Sequence, residues 1–165
     1  MQYFRFYSKA MIYRDIEELK NIMVSLKKQG KKIIWTNGCF DILHPWHIET
    51  FRQAKEHWDI LIVWLNWDKS PYRSTKPWRP INDEKFRSQM LDAIKFIDYV
   101  YIYDEETPIL AISWLLPDIL IKGWDYKLDE IIGAKEVIDN GWKVIIIPTV
   151  QWFSTTNIVD KLKNI

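Results

Sequence analysis

Ile60 to Leu65 are six consecutive apolar residues, and a strand made of them has no polar face to turn to water, because successive side chains point to opposite sides. It must be covered on both faces, the condition of a strand inside a parallel sheet. Four more short runs share its β-branched and aromatic character: KKIIW, YVYIY, DILIK and KVIII. Segments with helical spacing lie between the runs. Ile16, Leu19, Met23 and Leu26 step by three or four within Arg14 to Gln29, and Gly30 supplies a stop. Pro45 to Trp58 repeats the pattern through Ile48, Phe51 and Ala54, with proline in the first turn, where its missing N–H costs nothing. Phe86, Met90, Ile94 and Ile97 place a helix after an Asn82/Asp83 cap, and Thr107–Leu116, Leu128–Asp139 and Thr155–Leu162 are expected to be helical too. Strands alternating with helices imply right-handed crossovers. The expected fold is therefore α/β, a Rossmann-like open parallel sheet of about five strands with helices on both faces. Its 165 residues suit a single domain, with residues 1–30 as an N-terminal helical segment and 31–165 as the core.

Charge narrows the function classes. Lys plus Arg number 23 and Asp plus Glu 22, a net charge of +1, so no chain-wide pull toward nucleic acid or anionic membrane exists. No stretch reaches the ~18 apolar residues of a membrane span. Cys39 has no second cysteine to pair with, and MQYFRFYSKAM lacks the basic, apolar and small-residue succession of a secretory leader. A cytoplasmic protein acting on small molecules is expected, with neither nucleic acid nor membrane as partner.

In open α/β sheets ligands bind beyond the carboxyl ends of the strands. After KKIIW comes the loop Thr36-Asn37-Gly38-Cys39-Phe40-Asp41-Ile42-Leu43-His44-Pro45-Trp46-His47, leading into a helix N-terminus. Free N–H groups and the positive dipole end attract phosphate there, and two imidazoles three residues apart can face one anion. The same residues also describe an ordinary capped helix with two surface histidines, or a zinc pair that only Cys39 and His57 could complete. No metal ligands are assigned. Ser154-Thr155-Thr156-Asn157 opens the last helix and offers hydroxyls and N–H groups, although Ser and Thr are also common helix caps. Residues 67–82 carry three prolines with Lys69, Arg73, Lys76 and Arg79 and no periodicity. Long loops of this kind in compact domains are usually functional.

TNGCFDILHPWH resembles the T-N-G-C-F-D-x-L-H-x-G-H segment of the nucleotidyltransferase (cytidylyltransferase-like) superfamily, in the branch that makes ADP-heptose. LNWD, KPWRPIN, KGWDY, AKEV and FSTTNI recur in that family's order, so the resemblance covers roughly residues 31–165. Asn37, Gly38 and Cys39 favour the heptose branch, the D-glycero-β-D-manno-heptose 1-phosphate adenylyltransferases. The resemblance implies that ATP and a heptose 1-phosphate are joined to give ADP-heptose, a lipopolysaccharide core precursor, and pyrophosphate, with Mg²⁺ shared among the phosphates. It implies that His44 and His47 hold phosphates and that Asp41 organises the phosphate or metal end, unless Asp41 is a cap. Thr36, Asn37, Gly38, Cys39 and Phe40 would lie beneath the nucleotide. Lys122, Gly123, Asp125 and Tyr126 would contact adenosine, and Ser154, Thr155 and Thr156 the outer phosphates. Arg73, Lys76, Arg79 and Arg87 would reach substrate phosphates. A homo-oligomer, in the simplest case a dimer, is expected, with the sugar phosphate supplied by a separate enzyme.

Two other readings stand beside this one. The first is a cytidylyltransferase for a small phosphorylated alcohol. The second is a folded relative whose nucleotide site is blocked, for the chain has 10 Trp and only 5 Gly. Trp46, Trp58, Trp64, Trp124, Trp142 and Trp152 stand where the family ordinarily carries Gly or another small residue. Trp58 and Trp142 fall where a glycine would take positive φ, whereas core packing is the plain alternative for Trp35, Trp64 and Trp114.

Overall fold

A computed structural model describes residues 11–70, 79–104, 109, 112, 115–123, 127–148 and 155–163. In chain order the elements are β1 (Met11–Tyr13), α1 (Ile16–Lys28), β2 (Ile33–Gly38), α2 (Pro45–His57), β3 (Ile60–Asn66), α3 (Glu84–Asp92), β4 (Tyr99–Tyr103), β5 (Ile119–Gly123), α4 (Ala134–Asp139), β6 (Lys143–Ile147) and α5 (Thr155–Lys163). All strand pairs are parallel, and the sheet runs β1-β4-β3-β2-β5-β6. The expected α/β architecture is present, with one strand more than expected. Met11–Tyr13 lies within the segment expected to be helical and instead adds an edge strand along β4.

Alternation along the central strands explains the unbroken apolar runs. Leu61, Val63 and Leu65 of β3 pack with Phe51 and Ala54 of α2 and Leu91 of α3. Ile62 and Trp64 point the other way, toward Leu19 and Met23 of α1 and Val137 of α4. On that second face Trp35 and Trp64 meet edge to face at 4.4 Å, and Trp64 continues into Tyr101 at 5.4 Å. Edge-to-face contact suits the aromatic quadrupole. Trp35 and Trp64 are therefore core residues.

Helix ends follow local chemistry. The Asp15 carboxylate accepts the N–H groups of Glu17 and Glu18 at the start of α1, and Gly30 (φ +76) turns the chain out of it. Asp83 caps α3 through the Phe86 N–H. The expected inward face of α3 is not the observed one: Phe86 and Met90 are 57% and 59% exposed, while Arg87, Ser88 and Leu91 are buried. Arg87 takes the inner position because it has carbonyl groups to satisfy there, as described below. Leu128–Asp139 is also not one helix. A 3₁₀ turn at Leu128–Glu130 is separated from α4 by Gly133 at φ +84, where a Cβ would stand 2.0 Å from Ile112 Cδ1. The left-handed strain expected at Trp58 and Trp142 does not arise: Trp58 is extended (φ −145), and Gly141 (φ +80) takes the turn before Trp142. The helix expected over Thr107–Leu116 falls mostly outside the described residues, although Ile109, Ile112 and Leu115 are helical. No helix among the described residues is long and apolar enough to cross a membrane.

Candidate functional site

The strand order reverses between β2 and β5. Their pairing covers Ile34↔Ile119 and Trp35↔Leu120 and extends no further, whereas β2 stays paired with β3 as far as Gly38↔Leu65 and β5 with β6 as far as Gly123↔Ile147. The two strands therefore diverge toward their carboxyl ends, and a crevice opens at the place where ligands bind in open α/β sheets. Lys122 crosses its floor. This side chain is 8% exposed and its ammonium donates to the Asn37 carbonyl at 3.0 Å, placing a fixed cation between the strands.

A crevice of about 210 Å³ is lined on the β2 side by Thr36, Asn37, Gly38, Cys39, Phe40 and Asp41 and on the β5 side by Lys122 and Gly123. His47 and Trp46 close it from α2, Arg79 from the segment just before α3 and Thr155 from α5. The Thr155 hydroxyl also donates to the Ile42 carbonyl at 3.5 Å, so the mouths of α2 and α5 are adjacent. Residues far apart in the chain thus meet as expected. Thr50 and Phe51 line the crevice as well; nothing in the sequence pointed to Thr50, and Phe51 was expected only on the apolar face of the helix. Thr50 is three residues beyond His47, a spacing that puts both on one face of α2.

The loop after β2 is shaped by a close approach. Phe40 has φ +48, an uncommon conformation for a residue with a side chain, and its ring lies over Gly38, where a Cβ would stand 3.2 Å from Phe40 Cζ. From there the ring meets His47 edge to face at 5.4 Å and Phe51 at 5.5 Å. Phe40 thereby fixes the imidazole plane.

His44 is the N-cap of α2, and its backbone N–H donates to His47 Nδ1 at 3.3 Å. The two rings are 3.9 Å apart. They are not surface histidines: His44 is 7% exposed and His47 half-buried. Burial, with the neighbouring His44 as a second cause, pushes the His47 pKa down to about 3, and burial alone lowers that of His44. Both imidazoles are therefore neutral near neutral pH. His44 itself does not line the crevice, and its Nδ1, like Asn37 Oδ1, is buried with no hydrogen-bond partner among the described residues. Trp46 forms a wall of the open crevice and stacks at 23° on His44, 6.3 Å away.

An acid sensitivity follows from the depressed histidine. Unfolded His47 titrates near 6.5 and folded His47 near 3, so between those values the unfolded chain binds the additional proton. The free energy of unfolding is expected to fall as pH drops from about 6.5 toward about 3. Urea denaturation at about pH 7 and about pH 5 reads this slope, and His47→Gln is expected to flatten it. An unchanged slope in the variant would assign the acid sensitivity to other groups.

Two expected site residues are engaged by the protein itself. Asp41 lines the crevice, but its two carboxylate oxygens accept the backbone N–H groups of Ile81 and Asn82, both at 2.9 Å. Arg87, expected to reach a substrate phosphate, is 1% exposed and is not part of the lining. It donates to the carbonyls of Cys39, Asn66 and Asn82 and to the Asp68 carboxylate. Buried carbonyls without secondary-structure partners need donors, and this guanidinium supplies them. Thr156 is exposed and does not line the crevice. The expected sites at Arg73, Lys76, Asp125, Tyr126 and Ser154, together with Trp114, Trp124 and Trp152, lie outside the described residues, as does the His57 side chain. No group of three or more His, Cys, Asp or Glu side chains that could hold a metal ion occurs among the described residues.

Comparison with known proteins agrees with this geometry. The bifunctional protein HldE of Hyphomonas neptunium is 48% identical over 130 residues, covering 79% of this chain and 27% of the relative. HldE of Actinobacillus succinogenes is 43% identical over 148 residues, covering 90% and 31%. The chain thus spans about a third of the length of these relatives. Among solved structures, a lipopolysaccharide core biosynthesis protein from Thermoplasma volcanium superposes with a TM-score of 0.59 at 26% identity, over 75% of this chain and 100% of that one. Pantoate-β-alanine ligase from Francisella tularensis shares the fold, with a TM-score of 0.63 at 18% identity over 94% of this chain and 78% of that one. The cytidylyltransferase-like family model matches residues 35–161, from the middle of β2 into α5 and across both walls of the crevice, and the chain belongs to that family of nucleotidyltransferases.

Proposed function

We propose that the chain is an adenylyltransferase that joins ATP to a heptose 1-phosphate, forming ADP-heptose and releasing pyrophosphate. The observation that carries this reading is the convergence of donors on one crevice: His47 at the mouth of α2, Thr155 at the mouth of α5, and the cations Lys122 and Arg79 between them. Helix N-termini and fixed cations are complementary to a triphosphate. The heptose branch is supported by Asn37-Gly38-Cys39 after β2 and by the identity to the HldE proteins.

In this reading an oxygen of the sugar phosphate attacks the α-phosphorus of ATP, the bond from that phosphorus to the bridging oxygen breaks, and pyrophosphate leaves with the electron pair. No covalent enzyme intermediate forms. Negative charge gathers on the α-phosphoryl group and on the leaving group, so the work of the protein is positioning and electrostatic stabilisation. His47, neutral near neutral pH, can donate one hydrogen bond, and an arriving phosphate favours its protonated form. His44 backs it from the N-cap. Lys122, tied to the Asn37 carbonyl, brings its charge without having to be ordered at the moment of reaction. Among the described lining residues Asp41 is the only carboxylate, and its two oxygens accept backbone N–H groups. Mg²⁺ in this reading belongs to the phosphates and their water.

Pyrophosphate release, followed with ATP or CTP in the presence of heptose 1-phosphate or other phosphorylated sugars and alcohols, tests the proposal. ATP with heptose 1-phosphate is expected to exceed CTP by at least about tenfold, or ~1.4 kcal/mol in transition-state binding. A preference for CTP with a phosphorylated alcohol would replace the adenylyltransferase reading by the cytidylyltransferase one. We place the reaction in the cytoplasm. Ile81, Phe86 and Met90 leave an apolar surface at and along α3 of the kind a dimer covers.

A further inference from the structure

We propose that Asp41 and Asn82 are positioning residues that hold Arg79 at the phosphate crevice. The inference rests on reading the crevice as a phosphate site. Arg79 lines the crevice. Two and three residues further on, the N–H groups of Ile81 and Asn82 both donate to the Asp41 carboxylate. The Asn82 side-chain amide donates back to the Asp41 carbonyl at 3.0 Å and lies 3.4 Å from its Oδ1. Arg87 completes the arrangement by donating to the Asn82 carbonyl at 3.0 Å and, through another nitrogen, to the Cys39 carbonyl. The segment that follows Arg79 is therefore bonded to the loop that forms the β2 wall.

Such bonding has a definite purpose for a charged side chain. An arginine on an unanchored loop must be ordered when phosphate arrives, whereas one whose following residues are fixed to the wall is ordered beforehand. A carboxylate that accepts two backbone N–H groups forms charge-assisted hydrogen bonds, the stronger kind. Asn82 is suited to its place because its amide N–H groups can donate both to the Asp41 carbonyl and toward the Asp41 carboxylate beside it. An aspartate there would set two carboxylates against each other.

Calorimetric titration of the full chain with inorganic pyrophosphate, independent of turnover, tests the inference. Asn82→Ala and Arg79→Gln are each expected to weaken binding by about tenfold, and the double variant to bind no more weakly than Arg79→Gln alone, because Asn82 acts through Arg79. Asn82→Asp is expected to weaken binding by at least as much as Asn82→Ala. Asn82→Ser serves as the milder substitution should thermal unfolding show that Asn82→Ala is not folded. Asp41→Asn is expected to weaken pyrophosphate binding without changing its dependence on Mg²⁺ concentration. Additive losses in the double variant, wild-type binding by folded Asn82 variants, an altered Mg²⁺ dependence in Asp41→Asn, or no pyrophosphate binding by the wild-type chain would each overturn the inference. Tight pyrophosphate binding by a wild-type chain that releases none from ATP would remove the adenylyltransferase reading and leave the positioning of Arg79 standing.

Discussion

His47→Ala is expected to lower kcat for pyrophosphate release by about 10²–10³-fold, the usual cost of removing one preorganised donor from a site where charge develops. The imidazole lines the crevice and is held by Phe40 on one side and His44 on the other, so its geometry is set before substrate arrives. His44 does not line the crevice and meets it through His47 and Trp46. His44→Ala is therefore expected to act on the same step, and the double variant to lose little more than His47→Ala, as residues working as a unit do. Single-turnover measurements with the folded variants check this. Unchanged turnover in both single variants would refute the assigned roles.

The largest expected effect on stability belongs to a residue outside the crevice. Arg87→Ala leaves the carbonyls of Cys39, Asn66 and Asn82 and the Asp68 carboxylate without this donor. Each buried carbonyl left unpaired costs about 1–3 kcal/mol, whereas the Asp68 carboxylate, 36% exposed, can be rehydrated. Urea unfolding reads the loss directly. Arg52 is the natural control, for its pairs with Glu49 and Glu56 lie on the surface of α2, and Arg52→Ala is expected to cost within ~1 kcal/mol. Equal effects for the two arginines would mean that Arg87 is not needed to satisfy the wall of the site.

The contrast between these arginines also shows what could be read from the chain. Arg87 sits among Phe86 and Met90, and an apolar periodicity scan turns those two inward. The inward demand in fact came from carbonyls at the ends of β2 and β3, which no local pattern announces. Asp41 is a similar case, because its partners Ile81 and Asn82 are forty residues away and only the fold brings them together. The places of His47 and Thr155 at the crevice were legible because a helix N-terminus after a strand has a fixed place in an α/β sheet, while the roles given to them came from the resemblance alone. The unbroken run of β3 likewise predicted its central position, since burial on both faces leaves its mark on every residue. Met11–Tyr13 was missed for the opposite reason. Three residues are too few to show a period, and the strand exists through its pairing with Tyr99, Val100 and Tyr101.

Where β2 and β5 part company after Trp35 and Leu120, one lysine side chain reaches across instead of a continuing ladder. The residues that meet a substrate therefore stand past the last shared rung, and the rungs that keep the scaffold standing lie below them. Exchanging a side chain at the rim can alter which phosphorylated partner is accepted while the architecture beneath is left as it was. Such a division of labour lets one framework diversify among related chemistries without being rebuilt each time.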